Sequence, residues 1–361
     1  MKILICPDSF KGTFSAIEAA RLIASVFKAD KTVECQLIPL ADGGEGSLDC
    51  IQQQIKRSIK ISVEATNVLG QHQTGYYLRD KLTAYIEIAN VGSMQGIKAE
   101  EKNPLIANTY GTGQLIAHAL TNHCTSVVLF LGGSATVDGG CGLMQAMCNE
   151  PFPSNNPLLS QELIDIQAFK DRIKNLNIHL VCDVRNTATG AQGAAQVFGP
   201  QKGANPQEVM QLEKAMNQWL QILQPHSTKA LLSNAHLGAA GGVGLPFVAL
   251  NCNTLVSNGF DYFNQLFNYE KAIQWADAVI TGEGCIDEQT SMGKGPGRIA
   301  GMAKEAGKQV IGIGGLVKVQ PPCFDSVFST TKATNNEAPP LNQAKSNLLQ
   351  TSKRIRAFLL S

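Results

Sequence analysis

Leu129-Phe-Leu-Gly-Gly-Ser-Ala-Thr-Val-Asp-Gly-Gly-Cys-Gly142 contains three kinds of sequence in succession. The apolar, β-branched run Val127 to Leu131 breaks into a loop of Gly, Ser, Thr and one Asp, and Gly142-Leu-Met-Gln-Ala-Met147 then resumes as a helix. Strand, glycine loop and helix together suit phosphate handling. Glycines let backbone N–H groups approach an anion, and the helix N-terminus adds partial positive charge. Gly132, Gly133, Ser134 and Thr136 are therefore candidate phosphate or substrate contacts. Asp138 fits pure anion binding poorly. It reads equally as an acid suited to a tight turn, or as one that meets phosphate through Mg²⁺ or takes a proton from a substrate hydroxyl. No Gly-Lys-Ser/Thr closes the loop, so it is not a P-loop.

The same grammar occurs upstream. Lys2 to Cys6 reads as a buried strand, Pro7-Asp-Ser-Phe-Lys-Gly-Thr13 as its loop, and Ser15-Ala-Ile-Glu18 as a capping box opening a helix. Asp8, Ser9 and Lys11 thus lie at a strand's carboxyl end, where open α/β sheets bind ligands. Cys35 to Leu40 is a second strand, followed by the loop Ala41-Asp-Gly-Gly-Glu-Gly46 and a helix from about Ser47 to Lys56. Asp42 and Glu45 flank Gly43 and Gly44, and two acids so close would repel each other without a cation or donor nearby.

From Ile59 to Val91 the chain alternates as antiparallel strands do, which places a domain boundary near Lys60. Thr109 and Thr112 stand at the start of a helix, His179 to Val184 is a strand ending in Asp183, and Lys202 is expected to be exposed in the turn Val197 to Ala204. The cluster Gly238 to Gly244 is a further glycine loop or close backbone packing. The first grammar then returns. Ala278 to Thr281 reads as a strand and Gly282-Glu-Gly-Cys-Ile-Asp287 as its loop, with Gln289, Thr290 and Lys294 leading into a helix through Lys304. Gln309 to Gly315 and Ser326 to Thr330 add two strands. The fold class is α/β with two domains. A doubly wound, parallel-sheet domain (Rossmann/flavodoxin-like) is built from residues 1–60 and 255–361, a mixed α/β domain spanning 61–254 is inserted, and the active site lies in the cleft between them.

Composition narrows the function classes. The 361 residues are 44% hydrophobic and 16% charged with a formal net charge of +1, which gives no electrostatic case for nucleic acid, an anionic membrane or a polyacidic partner. Ten cysteines without C-x-x-C and six histidines without H-x-x-x-H signal neither a zinc site nor a disulfide framework. Met1 to Cys6 reaches Pro7 too soon for a secretory segment, and no apolar run approaches the ~20 residues of a membrane span. A cytoplasmic enzyme with a small-molecule site, monomeric or homodimeric, is expected.

Seven clusters in this order resemble the type 1 glycerate kinase family: P-D-S-F-K-G-T, L-A-D-G-G-E-G, T-Y-G-T-G-Q-L-I, G-G-S-A-T-V-D-G-G, F-G-P-Q-K-G-A, G-A-A-G-G-V-G and I-T-G-E-G-C-I-D-E-Q-T-S-M-G-K. The resemblance covers nearly the whole chain. It implies ATP-dependent phosphorylation of D-glycerate with Mg²⁺, the product in bacterial members usually being 2-phosphoglycerate rather than 3-phosphoglycerate. Three departures lie beside site residues: Val137 stands where the family usually has Asn, Arg185-Asn-Thr-Ala replaces the more usual Asn-Pro-Leu, and Cys285 replaces a commoner Arg.

Phosphoryl transfer needs in-line positioning, neutralised charge and a carboxylate near the acceptor hydroxyl. The expected catalytic set is Asp8, Lys11, Asp42, Asp183 and Asp287. Asp8, Ser9, Lys11, Asp42 and Glu45 would form one wall, and Asp138 with its glycines and Asp183 the other. Lys294 would contact phosphate, Asp183 or Asp287 would serve as metal ligand or base, and Gly43, Gly44, Gly132, Gly133, Ser134, Thr136, Lys202, Glu283, Gln289 and Thr290 would line the site. A dinucleotide enzyme lacks its G-x-G-x-x-G, because Pro7-Asp-Ser-Phe-Lys-Gly follows the first strand. Retention of every acidic cluster argues against a catalytically silent binding protein on the same scaffold, and pocket shape decides between glycerate and another small hydroxy acid as acceptor.

Overall fold

The computed structural model describes residues 1–10, 12–95, 97–160, 164–251, 253–291, 293–331 and 340–361. Its strands are β1 (Lys2–Ile5), β2 (Glu34–Leu37), β3 (Ile59–Thr66), β4 (His72–Asp80), β5 (Thr83–Glu87), β6 (Ser126–Phe130), β7 (Asn177–Cys182), β8 (Thr254–Asn258), β9 (Ala278–Ile286), β10 (Gln309–Val317) and β11 (Ser326–Ser329). They form two sheets in two compact units, Met1–Ala41 with Phe260–Ser361 and Asp42–Gly259.

The first unit carries a parallel five-stranded sheet in the order β11-β10-β9-β1-β2. Counted along this unit, that is the flavodoxin-like order, with its topological switch between β1 and β9. Side chains alternate across the sheet. Ile3, Ile5, Ile280 and Ile311 pack with Ile23 of the helix Ala16–Ser25, Phe27 just beyond it, and Leu348 and Ile355 of the helix Leu341–Leu360. Helices Tyr269–Trp275 and Gly295–Glu305 cover the other face. Ser15 and Glu18 make the expected capping box, the Ser15 hydroxyl accepting from the Glu18 amide at 3.2 Å. One expectation fails: β9 does not end at Thr281 but runs to Ile286, paired with β10 as far as Val317. Gly282 permits the pairing, since a Cβ there would lie 1.8 Å from the Ile313 carbonyl oxygen. Glu283 is thus a strand residue.

The second unit carries a mixed sheet in the order β3-β4-β5-β6-β7-β8. β3, β4 and β5 are antiparallel, as their alternation suggests, but β5 pairs in parallel with β6, and β6, β7 and β8 continue in parallel. The alternating region ends at Glu87, and Ala89–Gly92 is a helical turn. The first crossing between units falls after Ala41, where the sequence reading put it near Lys60. The helix Ser47–Gln54 packs on β4 and β5, and the Leu48 amide donates to the Glu87 carboxylate at 2.7 Å, so residues 42–60 go with the second sheet. The return crossing follows Gly259 rather than residue 254, because β8 extends the second sheet. Among the described residues no helix is long and apolar enough to cross a membrane.

Candidate functional site

In the first unit the loop after β1 runs against β9 beside the switch point, with the Asp8 amide donating to the Gly282 carbonyl at 2.8 Å. Asp8 Oδ1 accepts from the Ser9 amide at 2.6 Å. Lys11 lies outside the described residues. Beyond β9, Thr290 organises the turn: its hydroxyl accepts from the Asp287 amide at 3.2 Å and donates to Glu283 Oε1 at 2.8 Å. Lys294 Nζ lies 3.5 Å from Glu283 Oε2 and 3.8 Å from Asp287 Oδ1, at the position capping the helix Gly295–Glu305. Burial pushes the Glu283 carboxyl up, and Thr290 and Lys294 pull it back. A partly exposed lysine held between two carboxylates at a helix start suits contact with a phosphate that carries its own cation. Asp287 Oδ1 accepts from the Gln289 amide at 3.0 Å, while Cys285 Sγ stands 4.0 Å from Oδ2 of the same carboxylate.

In the second unit the turn Asp42 to Glu45 abuts the glycine loop after β6. The Gly132 amide donates to the Gly43 carbonyl at 2.9 Å, and a Cβ on Gly132 would fall 2.4 Å from the Gly44 Cα. Asp42 Oδ1 accepts from the Gly44 amide at 2.8 Å, whereas Glu45 is turned onto the Ser93 hydroxyl at 2.8 Å and the Gln95 side-chain amide. Gly43 also lies against Val181 of β7, the strand that ends beside Asp183, whose Oδ1 accepts from Asn258 Nδ2 at 3.1 Å. Asp42 and Glu45 thus share the second unit with Gly132, Gly133 and Asp183, and Asp8 lies in the first.

Two further candidates are not at the surface. Asp138 is fully buried, and its carboxylate accepts from the amide and hydroxyl of Thr109 and the amides of Gly140 and Gly142. It sits where the helices Tyr110–Thr121 and Cys141–Met147 both begin. The anion that the glycine loop suggests for this helix start is thus the protein's own carboxylate. Burial raises its pKa, opposed by these donors. Lys202 is likewise buried, not exposed, and its Nζ donates to Ser134 Oγ at 3.1 Å and to the Thr136 carbonyl at 2.7 Å. Burial pushes its pKa down to about 7 while the Asp138 charge resists the shift. Thr136 is 1% exposed, and the departure Val137 is a core residue, so both side chains are turned into the protein. The Gly238–Gly244 cluster is close packing: a Cβ at Gly241 would lie 2.0 Å from the Thr136 carbonyl oxygen.

Sequence reading missed Glu87 and His236. Glu87, 6% exposed, receives the amide of Leu48 at the start of the helix behind the Asp42–Glu45 turn. Its one signal is an acid ending the apolar run Ala84-Tyr-Ile. His236 has φ +76°, and its Nδ1 lies 2.7 Å from the Val184 carbonyl, steadying the loop after Asp183. Among the described residues no group of three or more His, Cys, Asp or Glu is placed to hold a metal ion.

A model of the glycerate kinase family matches residues 3–360. The chain belongs to the glycerate kinase family. It is 36% identical to the glycerate kinase of Bacillus cereus, over 99% of this chain and 97% of that protein. It is 32% identical to the glycerate 2-kinase of Escherichia coli, over 99% and 98% respectively. The crystal structure of a protein assigned as a glycerate kinase 2 from Salmonella typhimurium LT2 superposes with a TM-score of 0.83 at 34% identity, covering 99% of this chain and 98% of that one. A glycerate kinase is a phosphotransferase with an alcohol as acceptor, so the family resemblance carried by the seven clusters is borne out. The two-sheet α/β architecture is the family's own.

Proposed function

We propose that this glycerate kinase transfers the γ-phosphoryl group of ATP to D-glycerate, giving 2-phosphoglycerate, in the cytoplasm. The observation that carries this reading is the Glu283, Asp287, Thr290 and Lys294 constellation at the switch point of a flavodoxin-like sheet. A lysine at a helix start, flanked by carboxylates, fits a nucleotide phosphate bound with a divalent cation. The E. coli relative's name, glycerate 2-kinase, supports the choice of hydroxyl. The described cysteines are all free thiols, in keeping with a reducing compartment.

The donor set fits Mg²⁺, which is commonly held by one or two carboxylates plus substrate phosphates rather than by a protein cage. Asp287, half-buried beside Lys294, would hold it, with Glu283 behind. The ion would supply neutralisation of charge on the phosphoryl oxygens. Lys294 orients the same phosphate. Asp183, exposed at the end of β7, accepts the proton of the attacking hydroxyl, and the Asn258 amide fixes its carboxylate. Backbone amides of Gly133 and Ser134 receive an anionic oxygen.

The test is a coupled ADP-release assay with ATP, Mg²⁺ and D-glycerate, followed by NMR identification of the product. Glycerate-dependent ADP release with 2-phosphoglycerate formed is the expected result. ATP binding without release, or turnover only with another hydroxy acid, overturns the reading.

A further inference from the structure

Lys202 reaches the Gly132–Thr136 loop from inside the protein. The turn that carries it, Pro200–Lys202, closes on Gly203 at φ +103°, where a Cβ would stand 2.4 Å from the Lys102 carbonyl oxygen. Lys202 is 4% exposed and its Nζ is taken up by Ser134 Oγ and the Thr136 carbonyl, whereas Ser134, itself 5% exposed, adjoins the exposed Gly133. Lys202 can determine where its neighbour's proton goes. In its protonated form Lys202 only donates, so the lone pair of Ser134 Oγ facing Nζ at 3.1 Å is then committed, and the Ser134 O–H points elsewhere as a donor. The bond to the Thr136 carbonyl at 2.7 Å holds the other end of the same short segment. Among the described residues the amides of Gly133 and Ser134 have no protein acceptor, whereas those of Gly132 and Ala135 are bonded to Gly43 and Gly92. Gly133, exposed and at φ +79°, presents this edge outward. Two successive amides beside a hydroxyl held as a donor make an anion-binding concavity. The Glu45 carboxylate, close to Gly133, would repel an anion, but it is turned onto Ser93 and Gln95.

We propose that Lys202 is a positioning residue for glycerate phosphorylation, holding Ser134 so that its hydroxyl and the Gly133 and Ser134 amides receive a substrate oxyanion, the glycerate carboxylate or the phosphoryl group in transfer. The proposal rests on the function argued above.

The experiment compares wild type, Lys202→Met, Ser134→Ala and the double variant in glycerate-dependent ADP release, with thermal unfolding as the control for folding. Each single change is expected to lower kcat/KM by roughly 100-fold. The double variant should lose no more than Lys202→Met alone, because both changes remove the same oriented hydroxyl. A rise in glycerate KM identifies the carboxylate, and a fall in kcat with both KM values unchanged identifies the phosphoryl group; either supports the proposal. Losses that multiply in the double variant overturn it. So does wild-type kcat/KM in Ser134→Ala, an outcome that is decisive even if Lys202→Met does not fold. If wild type itself shows no glycerate-dependent release, the function proposed above fails instead. The oxyanion role is then read from glycerate binding by calorimetry, where equal affinity in wild type and Ser134→Ala overturns it.

Discussion

Asp138 Oδ2 accepts from both the amide and the hydroxyl of Thr109, each at 2.7 Å, and so ties the starts of two helices to one buried carboxylate. In Asp138→Asn one acceptor becomes an NH₂ facing backbone donors. We expect a loss of roughly 2–4 kcal/mol of stability, the range for a broken buried network. The urea midpoint measures it. An unchanged midpoint with lost turnover would instead make Asp138 a substrate contact.

Asp183→Asn and Asp287→Asn keep side-chain size and an acceptor oxygen for the Asn258 and Gln289 amides. Each should lower kcat by about 100-fold or more, the scale of a lost acid–base or charge-stabilising group, while Tm stays near wild type. Steady-state rates and thermal scans check both. Wild-type kcat in either variant would remove that residue from the proposed chemistry.

Gly132→Ala would drive a Cβ to 2.4 Å from the Gly44 Cα and 3.1 Å from the Gly43 carbonyl oxygen, both backbone. The Asp42–Glu45 turn would be pushed off the glycine loop, and kcat/KM should fall by about 100-fold, the effect of a misplacement of about 1 Å. Gly301→Ala is the contrasting case. Its site is in a helix with open space around it, so stability should rise by about 0.5–1 kcal/mol without change in rate.

Burial pushes the Glu87 carboxyl up to about 7 from 4.5, with the charges of Asp49 and Glu45 adding to the shift and the Ser47 and Leu48 amides opposing it. The folded state then binds more protons than the unfolded one between about pH 4.5 and 7, so stability should decline as pH rises through that window. The span amounts to at most roughly 3 kcal/mol. Glu87→Gln should flatten the decline. Urea unfolding at acid, neutral and mildly alkaline pH reads it, and equal pH slopes in the two proteins would refute the assignment.

The alternation of strands, glycine loops and helices was readable because it is local: Lys2 to Cys6 followed by a Ser15 capping box needs no distant partner to be interpreted. The returning grammar after residue 254 placed both chain ends in one sheet, and seven ordered clusters pointed to the family. Other features depended on partners remote in sequence. Gly282-Glu-Gly-Cys-Ile286 reads as a loop by composition, yet β10 supplies hydrogen bonds that make it strand. The Asp42–Glu45 turn follows the second unit because Glu87 and the Gly132 amide hold it there. Local sequence therefore determined which residue types stand at the ends of strands, and with them the kind of chemistry available. Tertiary structure alone decided which of those side chains face outward, since a charged group such as Asp138 or Lys202 can be buried only where distant backbone and hydroxyl groups converge to satisfy it.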